Sequence, residues 1–143
     1  GLGLEGRTRF TGFIEDGERD DLLAGTRACA FPSEKEGWGL TVIEANALGT
    51  PVVARDAPGL RDSVRHGQTG TLVGPPEQHP RDPESEHDEI QDWADALGSM
   101  LIEDDAAKAL RQRCLEWAKH FDWDRAANDM ERAIIAALKG RSK

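Results

Sequence analysis

The sequence predicts an α/β fold: a parallel, doubly wound sheet with flanking helices, ending in a helical segment. Three observations carry this. Between residues 7 and 73, short apolar runs alternate with amphipathic stretches about three and a half times. Glycine or proline marks most of the changes. From Ile90 onward, apolar residues recur only at helical spacing.

Residues 1–6, GLGLEG, read as a loop. Gly1-x-Gly3-x-x-Gly6 has the glycine spacing of a dinucleotide fingerprint, but no strand stands ahead of it in this sequence, which argues against that reading. Arg7 to Ile14, RTRFTGFI, has the β-branched and aromatic character of a short strand with a glycine turn. A helix follows from Asp16 or Gly17, with Leu22, Leu23 and Ala24 as its apolar side. Ala28 to Pro32, ACAFP, reads as a buried parallel strand. A glycine loop then leads into a helix from Leu40 to Leu48, with Leu40, Ile43, Ala47 and Leu48 inward. Gly49 suits the left-handed position that ends a helix. Pro51 opens the strand Val52-Val53-Ala54, and Ala57 to Arg65 forms a short helix with Leu60 and Val64 one turn apart. Gly67-Gln68-Thr69-Gly70 is a tight turn into a last strand, Thr71-Leu72-Val73.

Residues 74–89, GPPEQHPRDPESEHDE, hold four of the seven prolines and six acidic residues, and read as a solvated surface loop. His79 and His87 lie there without companion ligands, so no metal site is expected. Beyond it, Ile90, Trp93, Leu97 and Leu101 form one helical stripe. Leu110, Cys114 and Trp117 form a second, and Met130, Ile134, Ala137 and Leu138 a third. The whole, 1–143, is read as a single partial domain: an α/β core over 7–73, the acidic loop, and a helical segment over 90–138.

At 143 residues the length suits one domain. Hydrophobic residues at 38% and charged residues at 31% place it among ordinary globular chains. A net charge of −9 argues against nucleic acid as a partner, because phosphate backbones need a basic surface. No apolar run approaches the ~20 residues that span a bilayer. Cys29 and Cys114 lack metal-type spacing and read as reduced core residues, which makes a cytoplasmic location the expectation. The chain starts on Gly1 and is expected to be a piece of a longer protein.

The chemistry concentrates in residues 31–53, FPSEKEGWGLTVIEANALGTPVV. Strand, glycine loop and helix tip meet there at the carboxyl edge of the sheet, where open α/β sheets bind ligands. Gly37 and Gly39 let a backbone come close to a ligand. The N–H groups of the helix starting at Leu40 suit a diphosphate, and Thr41 adds a donor. Glu36 precedes the glycines, and Glu44 follows after seven intervening residues. Beside a phosphate site two carboxylates would repel, so sugar hydroxyls are their natural partners. Taken alone, that spacing also fits a solvent-facing helix residue and an ordinary loop charge.

The surrounding residues narrow the choice. Pro32-Ser33, Glu36-Gly37-Trp38-Gly39-Leu40, Glu44-Ala45, Gly49-Thr50-Pro51-Val52-Val53, Gly59-Leu60 and Gly67-Gln68-Thr69-Gly70 closely resemble the carboxy-terminal donor-binding domain of retaining GT-B-fold glycosyltransferases. The subgroup is group 1, of family 4 type, marked by Glu, seven residues, Glu. The resemblance extends back to Arg9-Phe10-Thr11-Gly12-Phe13 and forward to Phe121-Asp122-Trp123. It implies a Rossmann-like sheet, the C-terminal half of a GT-B fold without its first strands. It implies that Glu36, the catalytic-site carboxylate, hydrogen-bonds the donor sugar. The backbone of Gly37, Trp38, Gly39, Leu40 and Thr41 would hold sugar and diphosphate, Glu44 the ribose, and Phe13 and Ile14 would lie beside the base. The implied ligand is a UDP-, GDP- or ADP-linked sugar, with no metal or other cofactor. Trp38 stands where Phe is commoner, and Asp62 where Glu is frequent.

The family's basic pair for the diphosphate has no match in residues 1–30, and its acceptor-binding amino-terminal half is absent. The chain alone is therefore expected to be inactive, with any peripheral membrane contact made through the absent half. Asp122-Trp123-Asp124 has the form of a metal motif, but its position before a helix reads as an N-cap. A non-catalytic nucleotide-sugar-binding module and a structural half-domain are the rival readings. Exposure of part of the stripe Met130, Ile134, Leu138 is a further expectation.

Overall fold

The computed structural model describes residues 3–74 and 83–140. The elements are α1 (Asp16–Gly25), β1 (Cys29–Phe31), α2 (Leu40–Ala47), β2 (Val52–Arg55), α3 (Leu60–Ser63), β3 (Gly70–Val73), α4 (Pro83–Met100), α5 (Asp105–Ala118) and α6 (Trp123–Gly140). The three strands are all parallel, in the order β1-β2-β3, with Cys29 opposite Val52 and Val52 opposite Gly70. The expected α/β class and its helical ending are present.

Strand alternation builds two cores. Val52 and Ala54 point to one face, where they meet Val42 and Ala45 of α2 with Ala57, Leu60 and Val64. Val53 points to the other, where it meets Val73 and Met100, with Trp93, Ala96 and Leu97 of α4 packed alongside. β2 is the middle strand and its first three residues are fully buried, which is why that segment reads as an unbroken apolar run.

α2 is enclosed twice, by the sheet and by α5. Val42, Ile43, Ala45 and Asn46 are therefore buried, whereas Leu40 and Ala47, expected inward, are exposed. A one-face periodicity does not anticipate a helix with two covered faces. Gly49 has the left-handed φ of 77° expected of it, and its N–H reaches Asn46 O at 2.9 Å. Asn46 Nδ2 donates to Thr50 O at 2.9 Å, and Thr50 Oγ1 donates to Leu23 O at 2.5 Å, which ties the end of α2 to α1.

Three expectations are corrected. Residues 7–14 form no strand: β1 pairs only with β2 among the described residues, and Phe10 and Phe13 stand 94% and 90% exposed. β propensity alone does not make a strand without a neighbour to pair with. The acidic stretch is not loop throughout, because α4 already runs from Pro83, and proline is well suited to the first helical position. Residues 75–82, with His79, and the side chain of His87 lie outside the described residues. On α4 the core-facing residues are Trp93, Ala96, Leu97 and Met100, while Ile90 and Leu101 are exposed.

Asp104 caps α5 by accepting from Ala107 N at 2.8 Å. Asp122 does the same for α6, accepting from Arg125 N at 3.0 Å, the capping role read from its position. Every residue of α6 is exposed, and Met130, Ile134 and Leu138 are as open as expected.

Candidate functional site

The loop from Pro32 to Gly39 leaves the carboxyl end of β1 and turns into α2. Two glycines set its path. Gly39 is buried at φ 78°, and a Cβ there would meet Ser63 Oγ at 2.7 Å and Leu60 at 3.1 Å. Gly59, at the start of α3, lies so close that a Cβ would sit 2.3 Å from the carbonyl oxygen of Glu36 and 2.9 Å from that of Gly37. The loop is thus seated on α3 backbone to backbone. Gly37 has open space around it, with nothing within 4 Å of an added Cβ. Of the two glycines expected to admit a ligand, Gly37 is free to do so. Gly39 is needed for its φ and its packing against α3.

At the tip of α2 the N-cap is Gly39, which brings no side-chain acceptor, and the first turn carries no acid. By contrast α5 and α6 are capped by Asp104 and Asp122. Val42 N–H already donates to Gly39 O at 3.0 Å, so it is the N–H groups of Leu40 and Thr41 that keep their hydrogen-bonding capacity. Leu40 is 67% exposed and Thr41 is exposed, so both flank that tip on the open surface.

Glu36 is exposed and has no hydrogen bond or ion pair among the described residues. Glu44 is exposed and lies four residues beyond the α2 tip, about 6 Å along the helix. The Arg19 guanidinium of α1 is held above its usual value by its hydrogen bond to Asp20, and by the charges of Asp20, Glu44 and Asp16. Arg19 also pairs with Asp20 at 3.0 Å and Asp16 at 3.3 Å, so it is already neutralised. Phe13 and Ile14 precede α1; Phe13 is exposed and Ile14 half-buried.

Trp38 is the residue whose side chain lies where sequence reasoning did not look. Its ring packs on Phe121, centroid to centroid at 4.8 Å. Gly59, Ser63 and Phe121 are the loop's supports; Gly59 was visible only as part of a motif, and nothing in the sequence links Phe121 to residue 38.

Two cavities lie elsewhere among the described residues. One of about 530 Å³ opens at the amino edge of the sheet, between Thr26, Pro51 and Gly70 and the start of α5. Another, of about 660 Å³, lies between the outer edge of β3 and α4. Residues 36–44 line neither; Glu36, Gly37, Leu40, Thr41 and Glu44 are all exposed, so the candidate site is an open shelf. Among the described residues no helix is long and apolar enough to cross a membrane.

The family of group 1 glycosyl transferases matches residues 1–117. This chain belongs to that family. It is 39% identical over 109 residues to a D-inositol 3-phosphate glycosyltransferase of Nocardia farcinica, covering 76% of this chain and 22% of that one. It is 34% identical over 137 residues to the enzyme of that name from Corynebacterium aurimucosum, covering 96% of this chain and 30% of that one. Among solved structures, sucrose-phosphate synthase from Thermosynechococcus elongatus superposes with a TM-score of 0.75 at 28% identity, over 96% of this chain and 32% of that one. The pneumococcal O-GlcNAc transferase GtfA, solved with UDP and GlcNAc, superposes at 0.73 over 94% of this chain and 25% of that one; at 22% identity it shows the fold alone. The chain thus spans between a fifth and a third of the length of these relatives, and its fold is that of the matching part of GT-B glycosyltransferases.

Proposed function

We propose that this chain is the donor half of a retaining glycosyltransferase, holding a nucleotide-diphosphate sugar on the shelf at the carboxyl edge of the sheet. The supporting observation is the uncapped tip of α2, flanked by two exposed carboxylates, in a chain that belongs to the group 1 family. The tip offers the N–H groups of Leu40 and Thr41 and the positive end of the helix to the diphosphate. Glu36, without any partner of its own among the described residues, accepts from the hydroxyls of the transferred sugar. Glu44, one turn further in, accepts from the ribose. Phe13 and Ile14 flank the base.

In transfer, charge builds on the departing diphosphate, and the α2 tip stabilises it electrostatically. Glu36 orients the sugar and is not required as a nucleophile. An open shelf is what half of a site presents when the acceptor and the remaining cations belong to another domain. The isolated chain then binds nucleotide weakly, does not transfer sugar, and resides in the cytoplasm.

Calorimetric titration with UDP, GDP and ADP tests this. Binding is expected for at least one of them. Glu44→Ala should weaken it about 10-fold, corresponding to about 1–3 kcal/mol for hydroxyls left without an acceptor. Equal binding by the wild type and Glu44→Ala would remove Glu44 from the site. Absence of sugar transfer by the full-length parent across a donor panel would overturn the catalytic reading.

A further inference from the structure

Trp38 belongs by sequence to the glycine loop, and its ring packs on a residue far along the chain. It meets Phe121 at 4.8 Å with the planes 70° apart, an edge-to-face contact. Phe121 lies in the turn between α5 and α6, where its own N–H donates to Ala118 O at 3.0 Å. Phe121 in turn meets Trp117 at 4.8 Å and 89°. Trp117 is fixed from two more directions. Its Nε1–H donates to Ser63 O at 2.8 Å, and the Arg65 guanidinium lies 3.9 Å over its ring. Ser63 is also the residue against which Gly39 rests. Two routes therefore connect the loop to one anchor: Gly39 touches Ser63 directly, and Trp38 reaches it through Phe121 and Trp117.

We infer that Phe121 is a positioning residue for the loop from Glu36 to Gly39, acting through the ring of Trp38. The reason is backbone freedom. Trp38 is flanked by Gly37 and Gly39, and Gly37 has open space around it. Gly39 and Gly59 seat the loop on α3, and the held ring of Trp38 restricts the freedom that remains at Gly37. The importance of this path for binding rests on the donor-site reading above; the contact itself does not.

Amide hydrogen exchange on the whole chain tests it. Phe121→Ala should speed exchange across residues 36–39 by about threefold or more, the weight of one aromatic pair. Amides of β2 should keep their protection. Phe121→Tyr keeps a ring in place and should restore the wild-type rate. In a Trp38→Ala background, Phe121→Ala should add less than about a twofold further change, since the route is already cut. Three results would overturn the inference: an unchanged loop rate in Phe121→Ala, a rise matched in β2, or the same increment with Trp38 removed. UDP, GDP and ADP titrations on the same proteins should show weaker binding in Phe121→Ala. If the wild type binds none of them, the donor-site reading falls, while the exchange pattern still decides the role of Phe121.

Discussion

Gly59→Ala is the substitution through which the architecture of the shelf can be tested most directly. Gly59 sits at φ 82° and ψ −48°, and its missing Cβ would lie 2.3 Å from Glu36 O. That is about 1 Å inside an ordinary carbon–oxygen contact, and the atoms it meets are backbone, so no rotamer can relieve it. At this positive φ, with ψ outside the left-handed helical well, the conformation costs an alanine about 1–3 kcal/mol. The collision adds about 1–3 kcal/mol of the kind seen on overpacking. Gly67 supplies the control: its φ is 72°, but nothing lies within 4 Å of an added Cβ. Urea unfolding of Gly67→Ala should show only the conformational cost, and Gly59→Ala at least about 1 kcal/mol more. The extra strain should also appear locally, as faster amide exchange at Glu36 to Gly39 and weaker binding of nucleoside diphosphate. Equal destabilisation by the two alanines, with the loop unchanged in exchange, would refute the claim that the loop is seated on Gly59.

Other substitutions probe the rest of the frame. Arg55 and Glu89 pair at 2.5 Å with side chains 15% and 12% exposed, so Arg55→Ala leaves a half-buried carboxylate without its cation and should cost about 1–3 kcal/mol in urea unfolding. Arg55→Met combined with Glu89→Gln should recover most of that loss, because no unpaired charge remains and Trp93 keeps an acceptor. Burial pushes the Cys114 thiol up to about 12 from 9.0, against the pull of Arg113 and Arg111. The folded chain therefore holds this proton where the unfolded chain has lost it. The associated stability is full below pH 9 and is lost as pH rises from about 9 to about 12. Unfolding measured across that range should show a fall that Cys114→Ala makes shallower.

Much of the core was legible because its signals are local. Val52-Val53-Ala54 between Pro51 and later polar residues is a buried strand by composition alone, and the sheet puts it in the centre. Gly49 announced the end of α2 because left-handed φ is a property of one residue. Asp122 announced a cap for the same reason, and Asp104 carried an identical signal ahead of α5. The inward face of α2 was misread because periodicity senses one covered face, whereas α5 covers a second. Arg7 to Ile14 was misread because a strand is made by its neighbour, and residues 7–14 have none among the described residues.

The candidate site divides in the same way. Residue type and spacing set the order of its parts: a carboxylate, two glycines, a helix without a capping side chain, and a second carboxylate one turn in. These lie along one continuous stretch. The tertiary structure alone decided which glycine faces open space and which is filled by Ser63 and Leu60. It also decided that Gly59 carries the loop and that Trp38 turns toward Phe121. Residues 38 and 121 touch because α2 and α5 pack side by side, and a contact between distant segments is set by that packing, which no local pattern records.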